Sequence, residues 1–449
     1  MSDALATVVI VNWNGERLLR GCLDALARQQ TSTPFLTWVV DNASSDASVA
    51  VLEREYPDVR VLRNAANLGF AGGNNTALRQ VTTPYAVLLN NDATPEPDWL
   101  EQLLAPFEHP DGQRLAAVTS KVVFQPRFLP LTLTTEGFSP GPQDPRQLGL
   151  RLFGVSVEDV EVTERVLMER ATWGPEDSGA NRFRWTRPTA ELLIPLPDGH
   201  PGPFEVALRW AAEATKPVTV SWPGGSAELE VTPDAATQLV EVPAGVRGVD
   251  VINNVGSIVT RSGYGADRGY QDVDAGQYDQ PMDVFALCGC AVAFRTKAGR
   301  AVDWFDDDFF LYYEDTDLSW RLRAAGWSIR YQPTAVVRHV HAASSVEWSP
   351  TFTFHTTRNR LLMLVKNADQ RSARREYVGF LGETLRLLRP PIGALRRGRR
   401  PALRPLQSRL RALASLLRLT PVALRRRRVI ARTAAVPRAE LERWLVTAR

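Results

Sequence analysis

Cysteine is scarce in this chain of 449 residues, which has only Cys22, Cys288 and Cys290. Three cysteines do not make a disulfide framework or the ligand set of a structural zinc site. A secreted protein held together by disulfides is therefore excluded, and the sequence favours a reducing compartment.

Long apolar runs are also missing. No stretch approaches the roughly 18 residues that a membrane-spanning helix needs, and the N-terminus lacks the pattern of a secretory signal peptide. We therefore expect a cytoplasmic protein. The segment GFAGG at residues 69–73 lacks the spacing GxGxxG, which makes a nicotinamide-binding domain a poor interpretation.

The composition is that of a globular protein, with 44% hydrophobic and 23% charged residues. The length predicts two or three domains. The net charge of +3 is divided unevenly: residues 366–449 contain 22 Lys and Arg against 5 Asp and Glu, a local balance of +17, so the rest of the chain carries −14. A basic region of this kind usually meets a polyanion, either nucleic acid or an anionic membrane surface.

The N-terminal third alternates between strand and helix patterns. The apolar run TVVIVNWN at residues 7–14 is typical of a parallel strand buried on both faces, and Gly15 begins a segment with helical spacing of leucines. A second strand follows at residues 35–44, residues 59–80 give a third strand with a Gly-rich loop and another helix, and residues 85–92 give a fourth strand. The order βαβαβαβ predicts an α/β fold with a doubly wound sheet.

Polar residues follow each of these strands. They include Asn12 and Trp13, Asp41 and Asn42, the segment 67–73, and Asn90 to Asp92. Ligands of doubly wound sheets bind outside the carboxyl ends of the strands. A single such end is most simply a turn, but four on one edge predict a binding site.

A second block, residues 284–327, contains an acid-rich helix start. Glu314, Asp315 and Asp317 lie in its first turn, where the helix dipole favours carboxylates, and Asp317 and Arg321 are spaced for an ion pair. Both features could be structural. Three aromatic residues just before the helix would also desolvate a carboxylate and raise its proton affinity, as a general base requires.

Two of the five histidines, His339 and His341, end the strand that follows this helix. Alternate residues of a strand face the same way, so both side chains could enter one cleft. A histidine here is more often a structural group than a metal ligand, although imidazole suits either role.

Taken together, these motifs resemble the inverting nucleotide-sugar glycosyltransferases of family 2, which have the GT-A fold, and are most similar to the bacterial rhamnosyltransferase-like branch. The resemblance rests on the ordered set VVIVNWN, VVDNASSD, NLGFAGGNN, LLNNDATP, FDDDFFLYYEDTDLSWRLRAAGW and HVHAASS, over roughly residues 5–125 and 250–365.

The resemblance implies a role for each matching residue. Asp41 would accept the imide N–H of a uracil or thymine base, and the nucleotide-sugar site would comprise Asn12, Trp13, Asp41, Asn67, Gly69, Asn91 and Asp92. The family's DXD motif has Asn in place of its first Asp here. Binding of a divalent cation, Mg²⁺ or Mn²⁺, would therefore rest on Asp92 and His339, with His341 as a substitute.

On the acceptor side the resemblance implies Asp315 as the catalytic base, with Glu314 beside it, and Asp317 and Trp320 as acceptor-binding residues. The expected function is metal-assisted transfer of a sugar, with inversion, from a dTDP- or UDP-linked donor such as dTDP-rhamnose to a glycan or lipid-linked acceptor in cell wall or polysaccharide biosynthesis. The alternative is a non-catalytic sugar-binding protein on the same scaffold.

Residues 126–250 depart from this pattern. Short alternating strands separated by Pro and Gly turns predict an inserted β-sandwich-like domain, whose tryptophans are more typical of a core than of ligand platforms. The expected domains are thus 1–125 for the nucleotide sugar, 126–250 for the insertion, 251–365 for acceptor and catalysis, and 366–449 for a helical, Arg-rich C-terminal region.

The C-terminal region has three open interpretations. Its apolar face could pack on the catalytic domain, or it could dock on an anionic membrane surface at the inner face of the membrane. Nucleic acid is the least favoured partner, because no nucleic-acid module accompanies the arginines.

Overall fold

The computed structural model describes residues 3–178, 181–197, 202–340, 349–387 and 404–447. The chain divides into two compact units. The first comprises residues 1–123, 252–270 and 275–449, and the second comprises residues 124–251 and 271–274.

The first part of the larger unit alternates strands and helices. Its elements are β1 (Ala6–Asn12), α1 (Glu16–Ala27), β2 (Phe35–Asp41), α2 (Ser48–Glu55), β3 (Arg60–Arg63), α3 (Gly69–Leu78), β4 (Tyr85–Leu89), β5 (Ala93–Pro95), α4 (Trp99–Glu108) and β6 (Leu115–Phe124). In α1, buried Leu19, Cys22, Leu23 and Leu26 recur at the helical spacing that the sequence indicates.

The smaller unit consists of strands in two antiparallel sheets. Its strands are β7 (Phe128–Thr135), β8 (Arg151–Val157), β9 (Val160–Glu161), β10 (Thr172–Ser178), β11 (Asn181–Thr186), β12 (Thr189–Pro195), β13 (Phe204–Ala211), β14 (Lys216–Trp222), β15 (Gly225–Val231) and β16 (Ala236–Val242). One sheet has the order β10-β11-β8-β13-β16, with β9 beside β8, and the other has the order β12-β7-β14-β15. This confirms the inserted β-sandwich-like domain.

The core of the smaller unit contains one of its tryptophans, Trp210, which is fully buried. Trp173 and Trp185 are half-buried, and Trp222 packs against the edge of the core. Alternate residues of β13 are buried, as expected of a strand with one face on a core.

The chain then returns to the larger unit. Its further elements are β17 (Ile252–Asn254), β18 (Ser257–Val259), β19 (Gly265–Asp267), β20 (Met282–Asp283), β21 (Ala291–Arg295), α5 (Thr296–Ala301), α6 (Glu314–Ala324) and β22 (Ser328–His339). The helices that the structure describes after β22 are α7 (Pro350–Asn367), α8 (Gln370–Arg386), α9 (Arg404–Thr433) and α10 (Arg438–Leu441). Short 3₁₀ turns lie at Pro110–Arg114, Thr163–Arg165, Asp307–Phe309 and Glu442–Trp444.

The central sheet of the larger unit has the order β20-β22-β6-β21-β4-β1-β2-β3, with β17 beside β6 and β5 beside β22. Strands β4, β1, β2 and β3 are parallel, whereas β21 pairs antiparallel with both β4 and β6. Asn12 at the end of β1 pairs in register with Asp41 at the end of β2. The predicted α/β fold is confirmed, and the register brings these two strand ends together.

The C-terminal helices pack on the larger unit. Leu416 and Ala423 of α9 belong to the same buried cluster as Leu361 and Met363 of α7 and Trp320 of α6. None of the helices that the structure describes is long and apolar enough to cross a bilayer.

Candidate functional site

The ends of β1 and β4 are joined by an amide network. Asn91 Nδ2 donates to Asn12 Oδ1 at 2.8 Å, and Asn12 Nδ2 donates to Ser44 Oγ at 3.3 Å. A Cβ on Gly15 would lie 2.2 Å from Asn91 Nδ2. Gly15, to which the sequence assigned no role in the site, is therefore needed for this network to form.

Asp41 presents an unsatisfied oxygen at the same edge. Its Oδ2 accepts from the backbone N–H of Ser44 at 3.2 Å, whereas Oδ1 is buried without a hydrogen-bond partner. Buried polar atoms in proteins are nearly always paired, so Oδ1 is a candidate acceptor for an N–H of a ligand. Trp13, 47% exposed, follows Asn12 on the neighbouring strand end.

The loop before α3 is held by Asn42. Its Nδ2 donates to Asn67 Oδ1 at 2.9 Å and to the carbonyl of Gly69 at 3.0 Å, and Asn67 Oδ1 also accepts from the N–H of Gly69 at 2.8 Å. Gly69 has a φ of +71°, and a Cβ there would lie 2.3 Å from the carbonyl oxygen of Phe310.

The glycines of this loop make room for protein rather than for a ligand. A Cβ on Gly72 would lie 2.8 Å from Leu68 Cβ, and one on Gly73 would lie 2.8 Å from Val11 Cγ1. The lack of a side chain at these glycines, Gly69 included, thus allows close packing of the protein, and the role of Gly69 in a nucleotide-sugar site stays a prediction.

Asp92 and His339 lie side by side. Asp92 Oδ1 is 3.2 Å from His339 Nε2 and makes no hydrogen bond. On the other side of the imidazole, Nδ1 is 3.1 Å from Asn253 Oδ1. In the imidazole tautomer that has its proton on Nδ1, that oxygen accepts a hydrogen bond from Nδ1–H and Nε2 presents its lone pair toward Asp92.

In that tautomer the Asp92 carboxylate and His339 Nε2 are two hydrogen-bond acceptors that face each other. A cation bound between them would be favourable for both. Two ligands bound at about 2.1 Å and at right angles around one cation lie about 3 Å apart, so the spacing of Asp92 and His339 fits a divalent ion. The oriented second nitrogen of His339 is also usual in metal sites. Within the described residues, no group of three or more His, Cys, Asp or Glu side chains could hold a metal. His341 lies outside the described residues.

Asp315 occupies the first turn of α6. Its Oδ2 accepts from the N–H of Gly289 at 3.3 Å, and its Oδ1 accepts from the N–H of Thr316 at 2.6 Å. Burial raises the pKa of Asp315 above its ordinary value, and the charge of Asp267 acts in the same direction. The side chain is therefore oriented by the backbone and has a raised proton affinity.

Asp315 lines a cavity of about 610 Å³. The walls contain Tyr264, Tyr312, Phe352, Arg360 and Glu376. Aromatic faces beside charged and hydroxyl groups are typical of pockets for amphipathic ligands.

Glu314 is buried and is not among the side chains that line this cavity. Its Oε2 has no hydrogen-bond partner, and burial raises the pKa of Glu314 well above its ordinary value, helped by the charge of Asp315. Burial therefore disfavours the charged form of this carboxyl group.

The structure does not bring Asp317 and Trp320 to the cavity. Asp317 is 0% exposed, and its Oδ2 accepts from Arg321 Nε and Lys366 Nζ, both at 2.8 Å. Trp320 is 1% exposed and packs edge-on against Phe285. The expected contact with an acceptor does not fit this burial, because both residues lie on the core-facing side of α6.

The segment 288–290 connects Asp92 with Asp315. The carbonyl of Cys290 accepts from the N–H of Asn90 at 2.8 Å, and Gly289 donates to Asp315. Burial raises the pKa of both thiols, with contributions from Asp92 at Cys290 and from Asp315 at Cys288. Asp92 and Asp315 therefore both lie close to residues 288–290, at one edge of the sheet.

The turn that precedes Asp315 is strained. Phe310, Tyr312 and Tyr313 have φ values of 63°, 68° and 68°, which are costly for residues with a side chain. Asn359 Nδ2 donates to the carbonyls of Phe309 at 2.8 Å, Leu311 at 2.8 Å and Tyr312 at 2.7 Å. Asn359, for which the sequence suggested no role, thus fixes the approach to the candidate base.

Part of the chain is similar in sequence to known glycosyltransferases. Residues 7–141 match the family model described as glycosyl transferase family 2. A teichoic acid poly(glycerol phosphate) polymerase from Staphylococcus epidermidis is 28% identical over 129 residues, covering 28% of this chain and 18% of that protein. An N-acetylglucosaminyl-diphospho-decaprenol L-rhamnosyltransferase from Mycobacterium tuberculosis is 42% identical over 64 residues, covering 14% of this chain and 20% of that protein.

The chain spans about a fifth of the length of these curated relatives. Among solved structures, that of GalNAc-T7 with UDP, GalNAc and Mn²⁺ has a TM-score of 0.45 and 12% identity, covering 82% of this chain and 49% of that one.

Proposed function

We propose, from the match of residues 7–141 to the family model described as glycosyl transferase family 2, that the protein transfers a sugar from a nucleoside diphosphate sugar to an acceptor hydroxyl, with inversion at the anomeric carbon. The observation that carries the proposal is the placement of Asp315. Its carboxylate is oriented by the N–H of Gly289, lines a large cavity, and shares one sheet edge with Asp92 and His339.

The donor is a dTDP- or UDP-linked sugar. The unpartnered Oδ1 of Asp41 suits the imide N–H that thymine and uracil have in common. Trp13 has an exposed ring on the neighbouring strand end, which could contact the base. Asn12 and Asn91, hydrogen-bonded to each other, lie at the same edge of the sheet. The name of the rhamnosyltransferase relative makes dTDP-rhamnose the first donor to test.

The reaction is a single displacement. Asp315 takes the proton of the acceptor hydroxyl while the oxygen of that hydroxyl bonds to the anomeric carbon from one face. On the opposite face the bond from that carbon to the diphosphate oxygen breaks, and the nucleoside diphosphate leaves with the electron pair. The raised pKa of Asp315 increases its affinity for the proton that it accepts in this step.

Asp92 and His339 would hold a Mg²⁺ or Mn²⁺ ion, with the diphosphate of the donor completing the ligand set. When bound, such an ion supplies positive charge to the departing diphosphate. Asn253, in contact with Nδ1, would favour the tautomer of His339 in which Nε2 can bind such an ion.

The acceptor is a glycan or a lipid-linked sugar that enters the cavity beside Asp315. Tyr264, Tyr312 and Phe352 provide aromatic faces on which the apolar side of a sugar ring can stack. We further propose that the protein acts at the inner face of the membrane in cell wall or polysaccharide synthesis, where lipid-linked acceptors are found.

Asp315→Asn tests the proposal, because the amide keeps the shape of the side chain but cannot take a proton. We expect transfer from dTDP- or UDP-sugars with Mn²⁺ to fall by roughly 10²–10⁴-fold, with donor affinity unchanged in calorimetric titration. Asp303→Asn, the same change at an exposed residue, serves as the control and should leave both quantities unchanged.

Near-normal transfer by the Asp315→Asn protein would refute the assignment of the base. The competing function is a non-catalytic sugar-binding protein. It would be supported if the unaltered protein bound nucleotide sugars yet neither transferred nor hydrolysed them in the presence of Mn²⁺.

A further inference from the structure

Helices α8 and α9 lie side by side in opposite directions. Tyr377 of α8 is hydrogen-bonded through its hydroxyl to Thr420 Oγ1 at 3.2 Å, and Arg409 Nε of α9 donates to Thr384 Oγ1 at 3.1 Å. The inner face of α9 is buried through Leu416 and Ala423. The outer face of the pair has no such cover within the described residues.

An apolar stripe runs along the outer face of α9. Leu410, Leu417 and Leu424 are all exposed large hydrophobic residues, and Leu417 is 55% exposed. Because seven residues are nearly two turns of an α-helix, these three side chains lie on one line. An arginine follows each of them, at positions 411, 418 and 425.

Helix α8 extends this apolar surface. Val378 and Leu385, also seven residues apart, are both exposed. Val378 and Leu424 line a single groove of about 630 Å³, together with Arg374 and Arg428. The two helices therefore share one apolar face edged by arginines, which we call the α8–α9 face; it comprises Val378, Leu385, Leu410, Leu417 and Leu424 with the neighbouring arginines.

The charge of α9 is of one sign. It contains nine arginines and no Asp or Glu. Three of the arginines contact other residues of the chain. Arg409 pairs with Glu383, Arg426 pairs with Asp308 at 2.7 Å, and Arg427 donates to the carbonyl of Ala368 at 2.6 Å. Five others are exposed and have no carboxylate partner among the described residues, namely Arg411, Arg418, Arg425, Arg428 and Arg432.

We propose that the α8–α9 face is the surface through which this protein binds a membrane containing anionic lipids. A helix that lies in a bilayer interface needs an apolar stripe to enter the acyl boundary and cations beside it to meet lipid phosphates. Arginine is well suited to phosphate contacts, because its guanidinium can donate in a bidentate manner. Both features occur here on the same surface.

The proposal also connects the membrane with the cavity at Asp315. Gly379, Phe380 and Glu383 of α8 and Arg409 of α9 line that cavity. The same two helices thus offer one face to lipid and form part of the cavity wall. Binding through this face does not depend on the proposed transfer reaction, so the two can be tested separately.

The test is co-sedimentation of the full chain with phosphatidylcholine vesicles, with and without phosphatidylglycerol, at low and high salt. We expect binding only with phosphatidylglycerol and weaker binding at high salt. Leu417→Glu combined with Leu424→Glu should weaken it at least tenfold. Leu239→Glu, the same change at a residue that is also 55% exposed but lies in the smaller unit, should leave it unchanged.

Several results would overturn the proposal. These are no sedimentation with anionic vesicles at low salt, equal loss in the Leu239→Glu control, or self-association that Leu417→Glu abolishes while vesicle binding persists. Tight binding of duplex DNA that displaces the vesicles would assign the arginines to nucleic acid instead. The Asp315→Asn protein should bind vesicles like the unaltered chain, and thermal unfolding of each variant checks that it is folded.

Discussion

The side chain of Asn253 contacts His339, one of the two residues of the proposed cation site. Its Oδ1 is 3.1 Å from His339 Nδ1, and this contact leaves Nε2 of the imidazole as the nitrogen that faces Asp92. Without it, the ring could rotate or exchange tautomers, and the pair of acceptors would be lost.

We therefore expect Asn253→Ala to weaken Mn²⁺ binding roughly 10–100-fold when the ion is titrated in the presence of UDP or dTDP. Asn253→Asp retains an oxygen at the same place and should bind Mn²⁺ at least as well as the unaltered protein. Calorimetry of the ion measures this without relying on turnover. If the Ala and Asp variants lost affinity equally, the orienting role of Asn253 would be rejected.

Some residues of the candidate site can be predicted individually from the sequence, and others cannot. Asn12, Asp41 and Asp92 could be predicted, because each follows an apolar strand and the carboxyl ends of parallel strands meet at one edge. Asn253 and Asn359 could not, because their partners are 86 and about 50 residues away in the chain. Only the folded chain brings such distant residues within hydrogen-bonding distance.

Helix α6 shows the same division at the scale of an element. The sequence predicts its acidic first turn and the spacing of Asp317 and Arg321, and the Asp317–Arg321 pair is present at 2.8 Å. What the sequence does not reveal is Lys366, which approaches Asp317 from α7 and also contacts Asp306. The Asp317–Arg321 pair is therefore buried and shared with Lys366.

Asp317→Asn should consequently cost stability. Burial alone would raise the pKa of Asp317, but the charges of Lys366 and Arg321 outweigh it and hold the pKa below its ordinary value. Removing the carboxylate leaves the buried Arg321 without its carboxylate partner and Lys366 with Asp306 alone, which we expect to lower the free energy of unfolding by about 3–5 kcal/mol.

Chemical denaturation at neutral pH measures this loss. Because the pKa of Asp317 is lowered by folding, its contribution is present above the unfolded pKa of about 3.9 and is lost as the pH falls through the folded value, so the difference between the two proteins should shrink in acid. Asp307→Asn, at an exposed pair with Arg79, is the control and should change stability by less than about 1 kcal/mol. Equal losses at the two positions would contradict the buried-pair interpretation.

At the scale of the whole molecule, the insertion leaves the larger unit at one point and returns beside it. Val123 of β6 and Ile252 of β17 are antiparallel partners, so their Cα atoms lie about 5 Å apart. The smaller unit has its own core, which includes Trp210 and Val206. Domains inserted between adjacent positions can often be removed without loss of the host fold.

We therefore expect a chain in which residues 124–251 are replaced by a two-residue turn to fold and to bind its donor. The new turn would join β6 to β17 as a hairpin whose register already exists. Cooperative unfolding and the affinity for UDP- or dTDP-sugars measure the outcome, with the complete chain as reference. Loss of donor binding by a cooperatively folded product would show that the insertion contributes to the donor site.

The same shortened protein decides whether the insertion binds carbohydrate. Its largest buried side chain, Trp210, belongs to the core and is not available to stack on a sugar. We expect the affinity for the acceptor to be unchanged, because the cavity at Asp315 is built from residues of the larger unit alone. A marked fall in acceptor affinity with donor affinity retained would instead assign acceptor recognition to the half-buried Trp173 or Trp185 of the insertion.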